Sequence, residues 1–105
     1  MAKIESEILE IINKFILELN NKGFNVSDAY LFGSYASGRQ DEWSDIDVGI
    51  VSDKFEGKRF SDKQKLRGLF RNIDTRLSPY PIIKEDLNDD PFVVQEIVQN
   101  GIKIL

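Results

Sequence analysis

The sequence predicts an α/β (α+β) fold, and the order of its apolar patterns is the main reason. Stretches with the apolar period of a helix alternate with short apolar runs typical of buried strands. The resulting order, α-β-α-β-α-β-α-β, indicates one layered domain. The chain has 105 residues, 41% of them hydrophobic, which is enough for a modest core. We therefore expect a single domain over residues 1–105.

The helices are predicted from apolar spacing and from the residues that begin or end them. A second helix is expected over 61–71, and a third begins at Asp90-Pro91, where Asp is a capping residue and Pro suits the first position. Gly101 ends that third helix. The first helix covers 4–19, where a 3.6-residue period joins Ile4, Ile8, Ile11, Ile12, Phe15, Ile16 and Leu19.

Strands are expected where short apolar runs lie between turn residues. Pro79 and Pro81 mark one of these runs as an edge strand or a turn, because proline cannot donate to a sheet ladder. The predicted strands cover residues 29–32, 45–51, 73–83 and 102–105.

The absence of two residue types restricts the chemistry. The chain contains neither cysteine nor histidine. Disulfides, thiolate metal sites, imidazole-ligated zinc and histidine-based catalytic triads are therefore excluded. A bound metal would need oxygen ligands, which favours hard cations such as Mg²⁺ or Mn²⁺.

Charge and hydropathy restrict the partners. A protein that grips nucleic acid along its length is usually basic, whereas this chain has a net charge of −4 and a pI of about 4.8. Nucleic acid is therefore not an expected partner, but a small anionic ligand carried with its own metal is compatible. No apolar run approaches a membrane span, and residues 1–5 do not resemble a signal peptide. We expect a cytoplasmic protein with no membrane partner.

Asp45 and Asp47 form the most informative pair in the chain. They lie two residues apart in a predicted strand, so both side chains point to the same face. Two like charges side by side repel unless a cation lies between them. Each carboxylate alone would suit an exposed sheet face, but the pair predicts a site for a divalent metal.

Gly33 and Ser34 follow the first predicted strand. Glycine allows a phosphate to approach the backbone closely, and Ser34 can cap a short helix over Tyr35-Ala36 while its hydroxyl offers another donor. On its own, Gly-Ser would be a plain turn. Together with the aspartate pair it predicts a nucleotide whose phosphates are bridged to Asp45 and Asp47 by two Mg²⁺ ions.

Asp74 is the third carboxylate that we expect at this site. Two-metal sites usually need a further acid from an adjacent strand, and Asp74 is the best-placed candidate. It could ligate the catalytic metal and accept a proton from the attacking hydroxyl. An ordinary surface carboxylate is the alternative interpretation.

These residues resemble the minimal nucleotidyltransferase family, which belongs to the DNA polymerase β superfamily. The resemblance rests on residues 31–38 and 44–48, that is, on Gly-Ser, a ten-residue gap and Asp-x-Asp. Helix order and length, down to the terminal Gly-Ile-Lys-Ile-Leu, fit the family over nearly the whole chain. A bare Asp-x-Asp would be a weak signal, whereas this spacing between apolar strands is fairly specific.

The resemblance implies a nucleotidyltransferase fold, with a small mixed sheet flanked by helices, and Mg²⁺-dependent transfer of a nucleoside monophosphate. Members of the family commonly work beside a HEPN-type helical protein, often as the antitoxin of a toxin-antitoxin pair, and some adenylylate a tyrosine on that partner. The family often has Arg before the glycine where this chain has Ser37 before Gly38. Arg39 follows and is the residue that we expect to substitute for it.

We therefore expect an enzyme that transfers AMP from ATP to a hydroxyl on a partner protein, with an RNA end as the less favoured acceptor. The expected catalytic and metal-binding residues are Asp45, Asp47 and Asp74, and the expected nucleotide-binding residues are Gly33, Ser34 and Arg39. One alternative is a non-catalytic module that neutralises a helical partner by contact alone. A weaker alternative is a nucleotidyltransferase that modifies small molecules. Homo- or hetero-oligomers are compatible with each.

A basic pattern accompanies the second predicted helix. Arg59, Lys63, Arg67 and Arg71 recur every four residues and would form one stripe on a helix. A solvated face is one interpretation. The other is a docking surface for an acidic partner or an RNA backbone.

Overall fold

The computed structural model describes residues 4–105. Helices and strands alternate through most of that range, and the last helix has π-type hydrogen bonding. The helices are α1 (Ser6–Asn21), α2 (Ser34–Ser37), α3 (Arg59–Leu66), α4 (Asp86–Asp89) and the π-helix α5 (Val93–Gln99), and the strands are β1 (Asp28–Phe32), β2 (Ile46–Val51), β3 (Leu77–Ile82) and β4 (Ile102–Lys103).

These strands form one mixed sheet in the order β3-β2-β1-β4. β1 runs antiparallel to both β2 and β4, whereas β2 and β3 are parallel. In this register Asp47 lies between Phe32 of β1 and Ser78 of β3. The small mixed sheet flanked by helices confirms the predicted fold class.

Each face of the sheet packs against different helices. Ile46, Val48 and Ile50 point to the face covered by α1, where Phe15 is fully buried. Tyr30 and Phe32 point to the other face, where they form a second apolar cluster with Val93 and Ile97 of α5. Asp47 belongs to this second face, because side chains alternate along β2.

Gly49 allows α5 to pack closely against the second face. A Cβ at this position would lie 2.9 Å from Ile82 Cδ1 and 3.1 Å from Ile97 Cγ2. A larger residue would therefore press against both side chains. The contact holds α5 against the strand that carries Asp47.

The second predicted helix is shorter than the apolar pattern indicated. α3 ends at Leu66, and Arg67 is already extended with φ −59° and ψ 130°. Gly68 follows with φ +85°, a left-handed conformation that glycine adopts at little cost. The prediction that the helix continues to residue 71 was wrong, because Gly68 turns the chain towards β3.

β3 is an edge strand, as the two prolines predicted, although it is shorter than expected. Residues 73–76 form turns, and the strand covers only Leu77–Ile82. The carbonyl groups of Arg76 and Ile82 accept hydrogen bonds from Ile46 and Ser52, so the even-numbered residues of β3 bond towards β2. The backbone nitrogen atoms of Pro79 and Pro81 therefore lie on the free edge of the sheet. Because they carry no N–H group, they disfavour pairing with another strand.

The predicted helix start at Asp90-Pro91 is confirmed, because residues 91–92 are α-helical and lead directly into α5. Asp90 Oδ1 accepts hydrogen bonds from the backbone N–H groups of Phe92 at 2.9 Å and Val93 at 3.2 Å. This capping satisfies amides that have no partner inside the helix.

Among the helices of residues 4–105, none combines the length and apolar character that crossing a membrane requires.

Candidate active site

Asp45 and Asp47 lie where β2 begins. Asp45 comes directly before the strand and is exposed, whereas Asp47 is its second residue and is partly buried. Asp47 pairs with Phe32 on one side and with Ser78 on the other. The structure thus brings the two predicted metal ligands together at one end of the sheet.

The surroundings of Asp47 disfavour its negative charge. Burial raises the pKa of this carboxyl most, and the neighbouring Asp45 charge raises it further, while hydrogen bonding to the Ser78 hydroxyl lowers it. Within residues 4–105 no lysine or arginine forms a salt bridge with either aspartate. Two adjacent carboxylates without a protein cation are suited to bind a metal cation.

Gly33 touches the Asp47 carboxylate. Its φ is +74°, which side chains rarely adopt, and a Cβ built there would collide with Asp47 Oδ2. Two separate constraints therefore require glycine: the left-handed backbone and the space that the carboxylate occupies. This contact joins the Gly-Ser turn to the aspartate pair, as the sequence motif predicted.

Ser34 and Arg39 lie on one open cleft next to this contact. The cleft has a volume of about 450 Å³ and is lined by Gly33, Ser34, Ser37, Arg39, Glu96 and Asn100. Arg39 returns to the cleft after the short helix α2. Gly38 has a left-handed conformation, and the Arg39 N–H then donates to the Ser34 carbonyl at 3.0 Å. The structure thus gathers the three residues predicted to bind nucleotide.

Glu96 of α5 and Asn100, which directly follows that helix, were not predicted at this cleft. They line it from the segment that packs over Gly49. Both are exposed polar residues, and the sequence gives no signal that this segment meets the Gly-Ser turn. The Asn100 amide and the Glu96 carboxylate can hydrogen-bond parts of a ligand other than its phosphate groups.

Asp74 does not join the aspartate pair. Its carboxylate accepts two hydrogen bonds from the Arg76 guanidinium, from Nε to Oδ1 at 3.0 Å and from Nη2 to Oδ2 at 2.9 Å. Arg76 also lies 3.7 Å from Glu7 of α1. The hydrogen bonds from Arg76 are the main reason that the pKa of Asp74 lies below its usual value.

The described part of the chain, residues 4–105, holds no group of three acidic side chains that could bind a metal. This corrects the expectation of a three-carboxylate site: Arg76 neutralises Asp74 outside the pair. The position facing Asp47 on the adjacent strand is taken by Ser78. Sequence analysis missed Ser78 because the parallel register of β2 and β3 depends on the whole fold.

The two carboxylates still suit a hard divalent ion. Such ions prefer oxygen ligands, and Mg²⁺ is usually held by one or two carboxylates together with phosphate oxygens and water. Asp45 and Asp47 can supply the protein ligands, and the Gly33–Arg39 cleft can supply phosphate contacts beside them. The donor set therefore fits a metal that arrives with a nucleotide.

The motif and its geometry agree with comparisons across known proteins. The family described as the nucleotidyltransferase domain matches residues 9–104. The chain belongs to this family. The match confirms the predicted family, and it identifies a nucleotidyltransferase, the class of enzyme expected from the Gly-Ser and Asp-x-Asp motif.

Relatives of the nucleotidyltransferase include a curated archaeal protein. The chain is 35% identical over 96 residues to the "Putative protein adenylyltransferase MJ1379" of Methanocaldococcus jannaschii. This similarity covers 84% of the chain and 95% of the relative. It supports adenylyltransferase as the kind of nucleotidyltransferase.

Solved structures share the fold. A Sulfolobus solfataricus protein described as a nucleotidyltransferase superposes with a TM-score of 0.59 at 19% identity, over 82% of this chain and 81% of that one. A toxin-antitoxin structure with AMP-PNP gives 0.59 at 27% identity, over 89% of this chain and 71% of that one. A mutant MntA-HpeT toxin-antitoxin, in which two aspartates two positions apart are replaced by glutamate, gives 0.57 at 25% identity with the same coverage.

Proposed function

We propose that this nucleotidyltransferase transfers AMP from ATP, with Mg²⁺, to a hydroxyl group on a HEPN-type helical partner and serves as the antitoxin of that pair. The observation that supports it best is the contact between Gly33 and the Asp47 carboxylate. Because of that contact, two parts form one site. One is the Gly33-Ser34 turn, which can bind phosphates, and the other is the Asp45 and Asp47 pair, which forms no salt bridge with a lysine or arginine of residues 4–105. The cytoplasm is the proposed compartment, because ATP and Mg²⁺ are available there.

Each residue has a role in this proposal. Asp45 and Asp47 hold the divalent ions, two Mg²⁺ or in their place Mn²⁺, which neutralise charge on the phosphates when bound. Gly33 leaves space for the carboxylate, while Ser34 and Arg39 donate to phosphate oxygens. Asp74 acts indirectly, by fixing Arg76 beside the start of β2, where the Arg76 carbonyl accepts from Ile46 N–H at 2.8 Å.

The proposed reaction needs little from the protein beyond position and charge. The acceptor hydroxyl oxygen bonds to the α-phosphorus of ATP, the bond from that phosphorus to pyrophosphate breaks, and the hydroxyl proton passes to water. Such transfers depend mainly on alignment and on neutralising the phosphates. A chain without histidine or cysteine can therefore be catalytic.

The comparisons support a toxin partner and an adenine nucleotide. Two of the similar structures are toxin-antitoxin proteins, one of them with the ATP analogue AMP-PNP, and the curated relative is named for adenylyl transfer to protein. The double mutant among them changes two aspartates with the same spacing as Asp45 and Asp47. We transfer these properties to this chain as part of the proposal.

Label transfer tests the proposal. The protein is incubated with Mg²⁺, ATP labelled at the α-phosphate and the helical protein encoded beside its gene. We expect label on the partner, and we expect Asp45→Ala and Asp47→Ala to reduce it by a factor of roughly a hundred or more. Asp53→Ala is the matched control, because Asp53 is an exposed aspartate beyond the other end of β2.

A non-catalytic partner-binding role is the second candidate. It is favoured by the arrangement of Asp74, which leaves two carboxylates at the site instead of three. In that case the Asp45→Ala, Asp47→Ala double variant would still neutralise the partner, and no wild-type reaction would transfer label. Label on the partner that disappears in the double variant would exclude this candidate.

A further inference from the structure

The four basic residues expected on one helical stripe separate into two groups. The Arg59 guanidinium lies over the Tyr80 ring, 4.2 Å from its centroid, and 3.9 Å from Asp90 Oδ2. Because α3 ends at Leu66, Arg67 and Arg71 leave the helix. With Lys63 they line a cleft of about 230 Å³, which we call the basic cleft.

The basic cleft opens next to the proposed active site. Ser78 lies on its wall and is the strand partner of Asp47. Neighbouring strands are about 4.8 Å apart, so the cleft begins one strand away from the carboxylate. Leu77 and Phe70 of the cleft belong to the α1 side of the sheet, so a molecule bound there reaches Asp47 around the edge strand β3, past Ser78.

The cations of the cleft are available to a ligand. No carboxylate in residues 4–105 forms a salt bridge with Lys63, Arg67 or Arg71, and no acidic residue lines the cleft. All three are exposed in a chain whose net charge is −4. A concentrated positive surface on an acidic protein steers an oppositely charged partner.

Apolar groups accompany these cations. Phe70 and Pro79 line the basic cleft, and an adjoining cleft of about 160 Å³ shares Lys63 and Arg67 with it. That second cleft also contains Phe60, whose exposed fraction is 77%. An aromatic side chain beside paired cations is typical of a protein-binding surface.

We propose that the basic cleft binds an acidic segment of the protein acceptor, adjacent to the hydroxyl that receives AMP. This inference rests on the proposed function and adds the recognition element for the acceptor. Three cations with an apolar floor match a short peptide that carries both acidic and apolar side chains. A nucleic acid would need a longer basic track, which an acidic chain does not favour.

A binding experiment tests the cleft separately from catalysis. The probe is a fluorescein-labelled, glutamate-rich peptide with a single tyrosine, and its affinity is measured by fluorescence anisotropy at low salt. For the Lys63→Glu, Arg67→Glu variant we expect the Kd to rise roughly tenfold or more, because two attractions become repulsions. The charge-matched control is Lys14→Glu, Lys22→Glu on exposed positions of α1 and its end, where the Kd is expected to stay within about twofold.

Three results would overturn the inference. The first is an unchanged peptide affinity in the cleft variant, and the second is an equal loss in the α1 control, which would indicate net charge alone. The third is a larger loss of affinity, in the cleft variant, for a single-stranded RNA probe than for the peptide. Thermal melting of both variants shows whether they are folded, and Arg71→Glu provides a second cleft variant.

Failure of the proposed function gives a different result. Asp45→Ala should still bind the peptide with wild-type affinity, since Asp45 does not line the cleft. Absence of label transfer in every protein, with normal peptide binding that the cleft variant loses, would reject the enzyme and retain the docking site. Transfer to the acidic peptide, but less to a lysine-flanked peptide, would support both.

Discussion

At the scale of single residues, Gly33 is the position that most directly couples backbone conformation to the site. Its positive φ and its contact with Asp47 impose separate requirements, and the chain contains a glycine that has only the first. Gly23 has φ +87°, and a Cβ there would meet nothing within 4 Å. A comparison of the two positions therefore separates backbone strain from loss of space at the carboxylate.

We predict that Gly33→Ala abolishes label transfer while Gly23→Ala retains it. Both variants should lose roughly 1–2 kcal/mol of unfolding free energy from the left-handed conformation alone. Gly33→Ala should lose more, because its methyl group displaces the Asp47 carboxylate. Urea unfolding and label transfer on the same samples provide the test. Equal transfer by the two variants would contradict the proposed role of the contact.

The two aspartates Asp47 and Asp74 have opposite effects on stability. The pKa of Asp47 is raised in the folded protein, so its ionisation opposes folding, and stability is lost as pH rises from the usual value of 3.8 through the folded pKa. The pKa of Asp74 is lowered, so its contribution is present above 3.8 and is lost as pH falls below that value. These signs distinguish the proposed metal-binding carboxylate from the carboxylate that is paired with Arg76.

We therefore predict that Asp47→Asn stabilises the protein at pH 7 and has a smaller effect at pH 3, where the wild-type carboxyl is protonated. Asp74→Asn should destabilise it by about 1–3 kcal/mol at pH 7, since it loses charged hydrogen bonds to Arg76. Urea titrations at the two pH values measure both effects. Destabilisation by Asp47→Asn at pH 7 would contradict the assignment.

At the scale of elements, α3 is held to the preceding loop by a buried carboxylate. Asp62 is only 2% exposed, and it accepts hydrogen bonds from the backbone N–H groups of Glu56 and Gly57, both at 2.9 Å. Lys65 Nζ lies 3.3 Å from the same carboxylate. These contacts fix the helix that carries Lys63 towards the basic cleft.

We predict that Asp62→Ala lowers the unfolding free energy by about 2–4 kcal/mol, because two backbone N–H groups of the loop lose their hydrogen bonds to the buried carboxylate. Label transfer by the folded fraction should change little, since Asp62 lies outside both proposed ligand sites. Thermal melts monitored by circular dichroism measure the first effect. The control is Glu56→Ala, which removes an exposed carboxylate from the same loop. If Asp62→Ala is as stable as this control, the role assigned to Asp62 is refuted.

Local patterns predicted most elements but not the partners that the fold brings together. The apolar period of α1, the alternation in β2 and the cap at Asp90 depend on nearby residues, and all three are present. The end of α3 at Leu66, just before the left-handed Gly68, was missed because an apolar pattern continued beyond it. The pairing of Asp47 with Ser78 depends on the register between two strands that are far apart in the sequence. The hydrogen bonds from Arg76 to Asp74 are local, but they depend on the geometry of a turn where a strand was predicted.

At the scale of the whole molecule, the sheet places two charged regions side by side. β2 presents the aspartate pair, the turn after β1 presents Gly33 and Ser34, and the edge strand β3 separates the pair from the basic cleft. A nucleotide with its metal would join the turn to β2. Binding should therefore stabilise the molecule as a unit, because both segments belong to one sheet.

We predict that Mg²⁺ and AMP-PNP together raise the melting temperature, whereas either alone has a smaller effect. At a ligand concentration about a hundred times the Kd, linkage gives roughly 2.7 kcal/mol, which corresponds to a shift of about 10 °C or more in a domain of this size. Asp45→Ala should remove the shift, because the metal then loses a carboxylate ligand. The control Asp53→Ala should keep it.

The same titration distinguishes nucleotide binding from general effects of salt. Sodium chloride at equal ionic strength would screen surface charges equally in the wild type and in Asp45→Ala. A shift that persists in Asp45→Ala would therefore assign the stabilisation to screening and exclude metal-linked nucleotide binding at this pair. A shift confined to proteins with both aspartates would show that the ligand connects β2 with the Gly-Ser turn.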